Sequence, residues 1–121
     1  MSHTKPPAQI RIKRAYDPPS SDDGARVLVD RLWPRGLKKS DAHLSQWMKD
    51  IAPSTELRKW FAHDPARWEE FRRRYEAELR AKRDLLAELT ELARKGPLTL
   101  IYSAHDPLHN QAVVLLDVLR R

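Results

Sequence analysis

The 121-residue chain contains no cysteine, which removes disulfides, thiolate nucleophiles and cysteine-ligated zinc or iron–sulfur centres together. Any chemistry therefore falls to other groups. It has three glycines, at 24, 36 and 96, and lacks G-x-G-x-x-G, G-x-x-x-x-G-K-[ST] and G-x-S-x-G, so a glycine loop cradling phosphate is not expected. No apolar run approaches the roughly 20 residues of a membrane helix, and residues 1–9 lack the apolar stretch of a secretory signal. The expectation is a cytoplasmic protein with no membrane partner and no cofactor.

What the chain does carry is positive charge. Twenty-three Lys plus Arg stand against 17 Asp plus Glu, a net of +6 with a pI near 9.9, which favours anionic partners: nucleic acid, nucleotides or phosphorylated metabolites. A charged fraction of 33% beside 40% hydrophobic residues still allows a modest core, and the length suits one domain over 1–121, with residues 1–9 as a flexible tail.

The pattern along the chain predicts a small α/β domain with a mostly parallel sheet of at least three strands flanked by helices. Residues 10–16 alternate apolar and basic, as a half-buried strand does, and a Pro-Pro-Ser-Ser-Asp-Asp loop follows. Residues 26–33 form a second β-rich run that ends at Pro34-Arg35-Gly36. Leu44, Trp47, Met48 and Ile51 have helical spacing, so residues 41–51 are expected to form a helix capped by Ser40 or Asp41. A short helix is expected from Ser54 to Phe61, and Asp64-Pro65 starts another with Trp68, Phe71, Tyr75 and Leu79 on one face. The helical pattern of residues 65–95 fits one helix or two. Leu98–Tyr102 is a nearly continuous apolar run, expected to be a central strand buried on both faces, and Asp106-Pro107 looks like the start of a final helix. Strands separated by helical crossovers imply parallel pairing.

In open α/β sheets ligands bind beyond the carboxyl ends of the strands. Three ends gather polar groups here: Tyr16 and Asp17; Asp30, Arg31, Trp33 and Arg35; and Tyr102 to Asn110. Arg31 and Arg35 flank a Trp-Pro corner and suit bidentate recognition of phosphate or carboxylate, or else pin the loop through Asp30 or Asp17. His105, Asp106 and His109 are the candidate proton-transfer groups, with Asp17, Asp30, Arg31, Trp33, Arg35, Tyr102 and Asn110 as candidate ligand contacts. Asp106 and His109 could share a metal with His63 or His105, but no H-E-x-x-H pattern supports this and no metal site is assigned. Trp68, Phe71 and Tyr75, interleaved with Arg72, Arg73 and Arg74, have the spacing of a core face. The leading expectation is a binding or catalytic pocket for a small anionic or nucleotide-like ligand. The alternative is a non-enzymatic nucleic-acid-binding module using the basic surface. Oligomeric state is not indicated.

The segments at 26–36, 52–61 and 63–65, with Trp68, Phe71 and Tyr75 and with Asp106, His109 and Asn110, together resemble the YeaO-like branch of the domain of unknown function 488 family, over residues 10–120. The resemblance implies a small bacterial α/β domain with 30–36 and 106–110 as signature regions, and it brings no catalytic assignment. The chain departs from the family pattern at His105, where relatives carry Lys or Arg before the aspartate. A methyltransferase label attached to some relatives finds no glycine-rich cofactor loop here.

Overall fold

A computed structural model describes residues 9–121. Its strands are β1 (Ile10–Arg14), β2 (Ala25–Leu28), β3 (Gln46–Trp47) and β4 (Leu98–Tyr102), and every pairing between them is parallel, in the order β1-β4-β2-β3. All five residues of β4 are buried, as a strand flanked on both edges and covered on both faces requires. The tail expected over residues 1–9 lies outside the described residues except for Gln9, whose carbonyl accepts from Leu98 N at 2.9 Å and so extends the ladder by one step.

The sheet sorts side chains onto two faces by the period-two rule. Leu98, Leu100 and Tyr102 of β4, with Val27 and Val29, join the main core under α2 (Thr55–Phe61), α3 (Trp68–Leu79), α4 (Arg83–Lys95) and α5 (Gln111–Arg120). Leu28 and Ile101 point to the opposite face, where Ala15 joins them and Trp33, Leu37, Leu44 and Trp47 cover them. The helix expected over residues 41–51 does not form. A four-residue helix α1 (Lys39–Ala42) stops at His43, which is left-handed at φ 48°. The chain then runs beside β2 as β3, with Ser45 N donating to Arg26 O and Met48 N to Leu28 O at 2.8 and 2.9 Å. Leu44 and Trp47 pack on one face of the sheet while Met48 and Ile51 enter the other. One straight helix cannot serve two faces, so strand pairing wins.

Residues 65–95 resolve into two helices, parted at Arg80–Lys82. Ser54 caps α2 through Leu57 N at 3.1 Å, and Asp64 opens the turn that leads into α3 through Ala66 N at 3.0 Å. Phe71, Tyr75 and Leu79 are buried along α3. Tyr75 donates its hydroxyl to Ile51 O at 2.7 Å, and burial pushes its ionisation far above the usual range. Arg73 and Arg74 pair with Glu70, and Arg72 with Asp117 and Glu76, so the arginine run forms a neutralised surface.

The loop between β1 and β2 is tied by a buried ion cluster. Arg26 and Asp23 are 4% and 3% exposed. Arg26 Nη1 meets Asp23 Oδ2 at 2.6 Å, Lys13 adds a bond at 3.1 Å, and the Ser20 N–H a third at 2.9 Å. Burial alone would raise the Asp23 carboxyl, but these donors outweigh it and hold it below its usual range. Gly24 follows at φ 63°, and a Cβ there would lie 2.2 Å from Pro97 O, so only glycine fits.

Candidate functional site

Because all strands run the same way, their carboxyl ends share one edge, and a cavity of about 390 Å³ opens there. The buried Asp30, with the half-buried Ser103 and Gln111 that hydrogen-bond to it, makes its floor, and Trp33, Phe61 and Phe71 line it together with the exposed Arg35, Arg58 and His63. Asp30 is 8% exposed. Its Oδ2 accepts from the Ser103 N–H at 3.0 Å and from the Ser103 hydroxyl, and its Oδ1 accepts from Gln111 Nε2. Burial drives this carboxyl above its usual range against the opposing pull of those hydrogen bonds.

The two expected arginines have different surroundings. Arg31 donates Nε to Pro53 O and Nη2 to Ala52 O, both at 3.1 Å, and thereby ties the end of β2 to the loop before α2. The loop-pinning alternative thus applies, through backbone carbonyls rather than through Asp30 or Asp17. Arg35 is exposed and makes no side-chain hydrogen bond or ion pair among the described residues. Its backbone carbonyl takes the Tyr16 hydroxyl at 2.8 Å. Arg58, which the sequence reading passed over, is also exposed and unpaired on the same cavity.

The segment from Tyr102 to Asn110 divides. His109 lines the cavity, with Nδ1 2.7 Å from Asp106 Oδ2 and its ring edge against Trp68 at 5.2 Å between centroids. Asp106 stands outside the lining and acts through that contact. Its Oδ1 accepts from Leu108 N at 2.9 Å, the largest influence holding its carboxyl below the usual range, with the His109 ring next. The expected helix start at Asp106-Pro107 is not realised: α5 begins at Gln111, and Asn110 is its cap through Ala112 N at 2.9 Å and Val113 N at 3.2 Å. A helix takes the cap whose following residues can propagate it, and Asp106 instead closes a turn. Asn110 lines the cavity, but its amide nitrogen donates to Asp106 O at 2.9 Å, so both ends of the side chain are engaged. Tyr102 is buried in the core, and His105 and Asp17 are exposed; none of the three belongs to the lining. Trp33 both lines the cavity and packs edge-on against Trp47 at 5.5 Å, its indole N–H held by Leu37 O at 2.7 Å. Among the described residues no group of three His, Asp or Glu side chains is placed to hold a metal ion.

Comparison with known proteins supplies the family. Residues 9–121 match the family described as "Inactive DUF488-N3 subclade". The chain belongs to it. The uncharacterised protein YeaO of Escherichia coli K12 is 50% identical over 111 residues, covering 92% of this chain and 96% of that protein. The uncharacterised protein Rv3073c of Mycobacterium tuberculosis H37Rv is 41% identical over 111 residues, covering 92% and 93%. No solved structure matches the chain. Within the DUF488 chain described here, the groups the sequence reading missed are Arg58 and Phe61, one helical turn apart on α2, and Ser103 and Gln111. The last two carry a faint signal, as polar residues directly after β4 and at the first position of α5.

Proposed function

We propose that the strand-edge cavity binds a small anionic ligand, with Arg35 and Arg58 as the anion-contacting groups, and that the protein is a binder rather than a catalyst. The observation that carries the reading is two exposed guanidinium groups without acidic partners on the wall of one cavity, where most other arginines are paired. A volume of about 390 Å³ falls in the lower part of the roughly 300–1,000 Å³ range of small-molecule sites. The family description as inactive agrees with binding, as does the His109 ring, whose one hydrogen-bond partner among the described residues is Asp106 and not a hydroxyl nucleophile. Nucleic-acid binding along the surface has less support, because the arginines of α3 are neutralised by Glu70, Glu76 and Asp117.

Thermal unfolding against inorganic phosphate, phosphorylated metabolites and nucleotides tests this. A ligand at about 100 times its Kd stabilises the protein by roughly 2.7 kcal/mol, and the Arg35→Ala/Arg58→Ala double variant should lose that gain. If no compound stabilises the wild type more than the double variant, the reading is wrong.

A further inference from the structure

Resting on the anion-binding reading of the same cavity, we propose that its floor selects the ligand's other end: the ligand is a nucleoside 5′-monophosphate whose base carries an exocyclic amino group, held base-inward on Asp30 and Gln111 with the phosphate on Arg35 and Arg58.

The inference comes from what the floor leaves unsatisfied. Gln111 Nε2 donates both to Asp30 Oδ1 and to Val29 O, the latter at 3.4 Å. Two acceptors at one end of the amide fix its orientation and make Oε1 the end with no partner among the described residues. Among the described residues Asp30 Oδ1 accepts only that one bond, and a carboxylate offers about four lone-pair sites over its two oxygens. Ser103 spends its hydroxyl hydrogen on Asp30 Oδ2, which leaves its oxygen as an acceptor too. Three neighbouring side chains, one buried and two half-buried, therefore present acceptors in a cavity that the exposed Arg35 and Arg58 also line. A ligand that matches both ends brings N–H donors at one end and an anion at the other. The wall decides between a bare ammonium and a flat ring. Trp33, Phe61 and Phe71 line the cavity, and a planar base stacks on an aromatic face with its whole ring, whereas an alkylammonium, drawn there by cation–π attraction alone, leaves most of it uncovered.

Cytidine and uridine 5′-monophosphate are the discriminating probes, because at the base they differ only along one edge, where cytosine has a 4-amino group and a bare N3 and uracil has a 4-carbonyl and an N3–H. Turned toward Asp30, Gln111 and Ser103, the cytosine amino group offers two hydrogens, whereas uracil offers a single N3–H flanked by carbonyls that set acceptor against acceptor. Titration calorimetry on the whole chain should show cytidine monophosphate binding at least tenfold tighter than uridine monophosphate. Asp30→Asn, which replaces one acceptor by a donor, should shrink that preference below threefold or invert it. Equal affinity for the two nucleotides, with binding still lost in Arg35→Ala/Arg58→Ala, overturns base selection and leaves the anion site standing. Tighter binding of phosphoethanolamine, an ammonium and a phosphate without a ring, also overturns it. If none of these compounds binds and inorganic phosphate gives no stabilisation, both readings fall. The comparison in the wild type decides the matter even where Asp30→Asn does not fold.

Discussion

Arg31 and Arg35 lie four positions apart in one loop, and replacing each separates architecture from recognition. Arg31→Met keeps an aliphatic stem and removes the guanidinium. Two bonds from a charged donor to the carbonyls of Pro53 and Ala52 are lost. Ala52 O keeps its bond from Lys82 Nζ at 2.9 Å, but Pro53 O, on a buried residue, loses its side-chain donor. A hydrogen bond to a charged group contributes about 1.5–3 kcal/mol. Because the Arg31 side chain is 26% exposed and water can replace part of what is removed, the expected total is about 2–3 kcal/mol. For a domain of this size that is roughly 8–15 °C in Tm. Arg35→Ala should change stability by less than about 0.5 kcal/mol, as exposed substitutions without partners do, while weakening anion binding about tenfold. Urea unfolding followed by tryptophan fluorescence measures the first quantity and ligand titration the second. If Arg31→Met unfolds with the wild-type midpoint yet abolishes binding, the assignment of Arg31 to the scaffold is refuted.

Two further outcomes test the frame around the site. Asp23→Asn should cost about 3 kcal/mol at pH 7, since it leaves the buried Arg26 without its counter-charge. Asp23 is held below its usual range in the folded state, so its stabilisation is complete above the unfolded carboxyl value of about 3.9 and fades as pH falls through the lower folded value. The gap between wild type and variant in urea midpoints should accordingly narrow toward pH 2, and a constant gap would count against the ion pair. Ala62 closes α2 in the left-handed region at φ 49°, so Ala62→Gly should stabilise by about 1 kcal/mol despite glycine's greater freedom in the unfolded chain; a lowered Tm would contradict this.

How much of this was legible in the sequence depends on whether a residue's role is set locally. Leu98–Tyr102 is apolar but for Thr99 because it is central, and Ser54 caps the helix that begins beside it, so both could be read directly. The spacing of Leu44, Trp47, Met48 and Ile51 is helical and yet misleads, because these side chains divide between two faces of a sheet whose other strands lie elsewhere in the chain. Asp106-Pro107 has the composition of a helix start, but Asn110 holds the cap four residues on. The expectation that strand ends would collect the polar groups follows from parallel pairing and agrees with the cavity's position. Which of those groups stay free is a matter of distant carbonyls at Ala52 and Pro53, invisible to any local pattern.

The loop after β2 shows how one segment builds a cavity while keeping little of itself for the ligand. Asp30 ties β2 to the end of β4 through Ser103 and to the start of α5 through Gln111, and its own carbonyl accepts the Trp47 indole N–H at 2.7 Å. Arg31 binds the loop before α2, and Trp33 holds its own turn through Leu37. Of the loop's charged residues that line the cavity, Arg35 is the one left without a side-chain partner among the described residues. Asp30 is the costly member: burial raises its carboxyl, so holding it ionised at neutral pH subtracts from folding stability, whereas the buried Asp23 is held low by its cations. Ser103 and Gln111 both donate to Asp30, so both of its oxygens must accept, which a carboxylate does and an amide does not. A buried carboxyl that lines a cavity with hydrogen-bonding capacity left over fits the proposed ligand, whose amino group would supply the remaining donor.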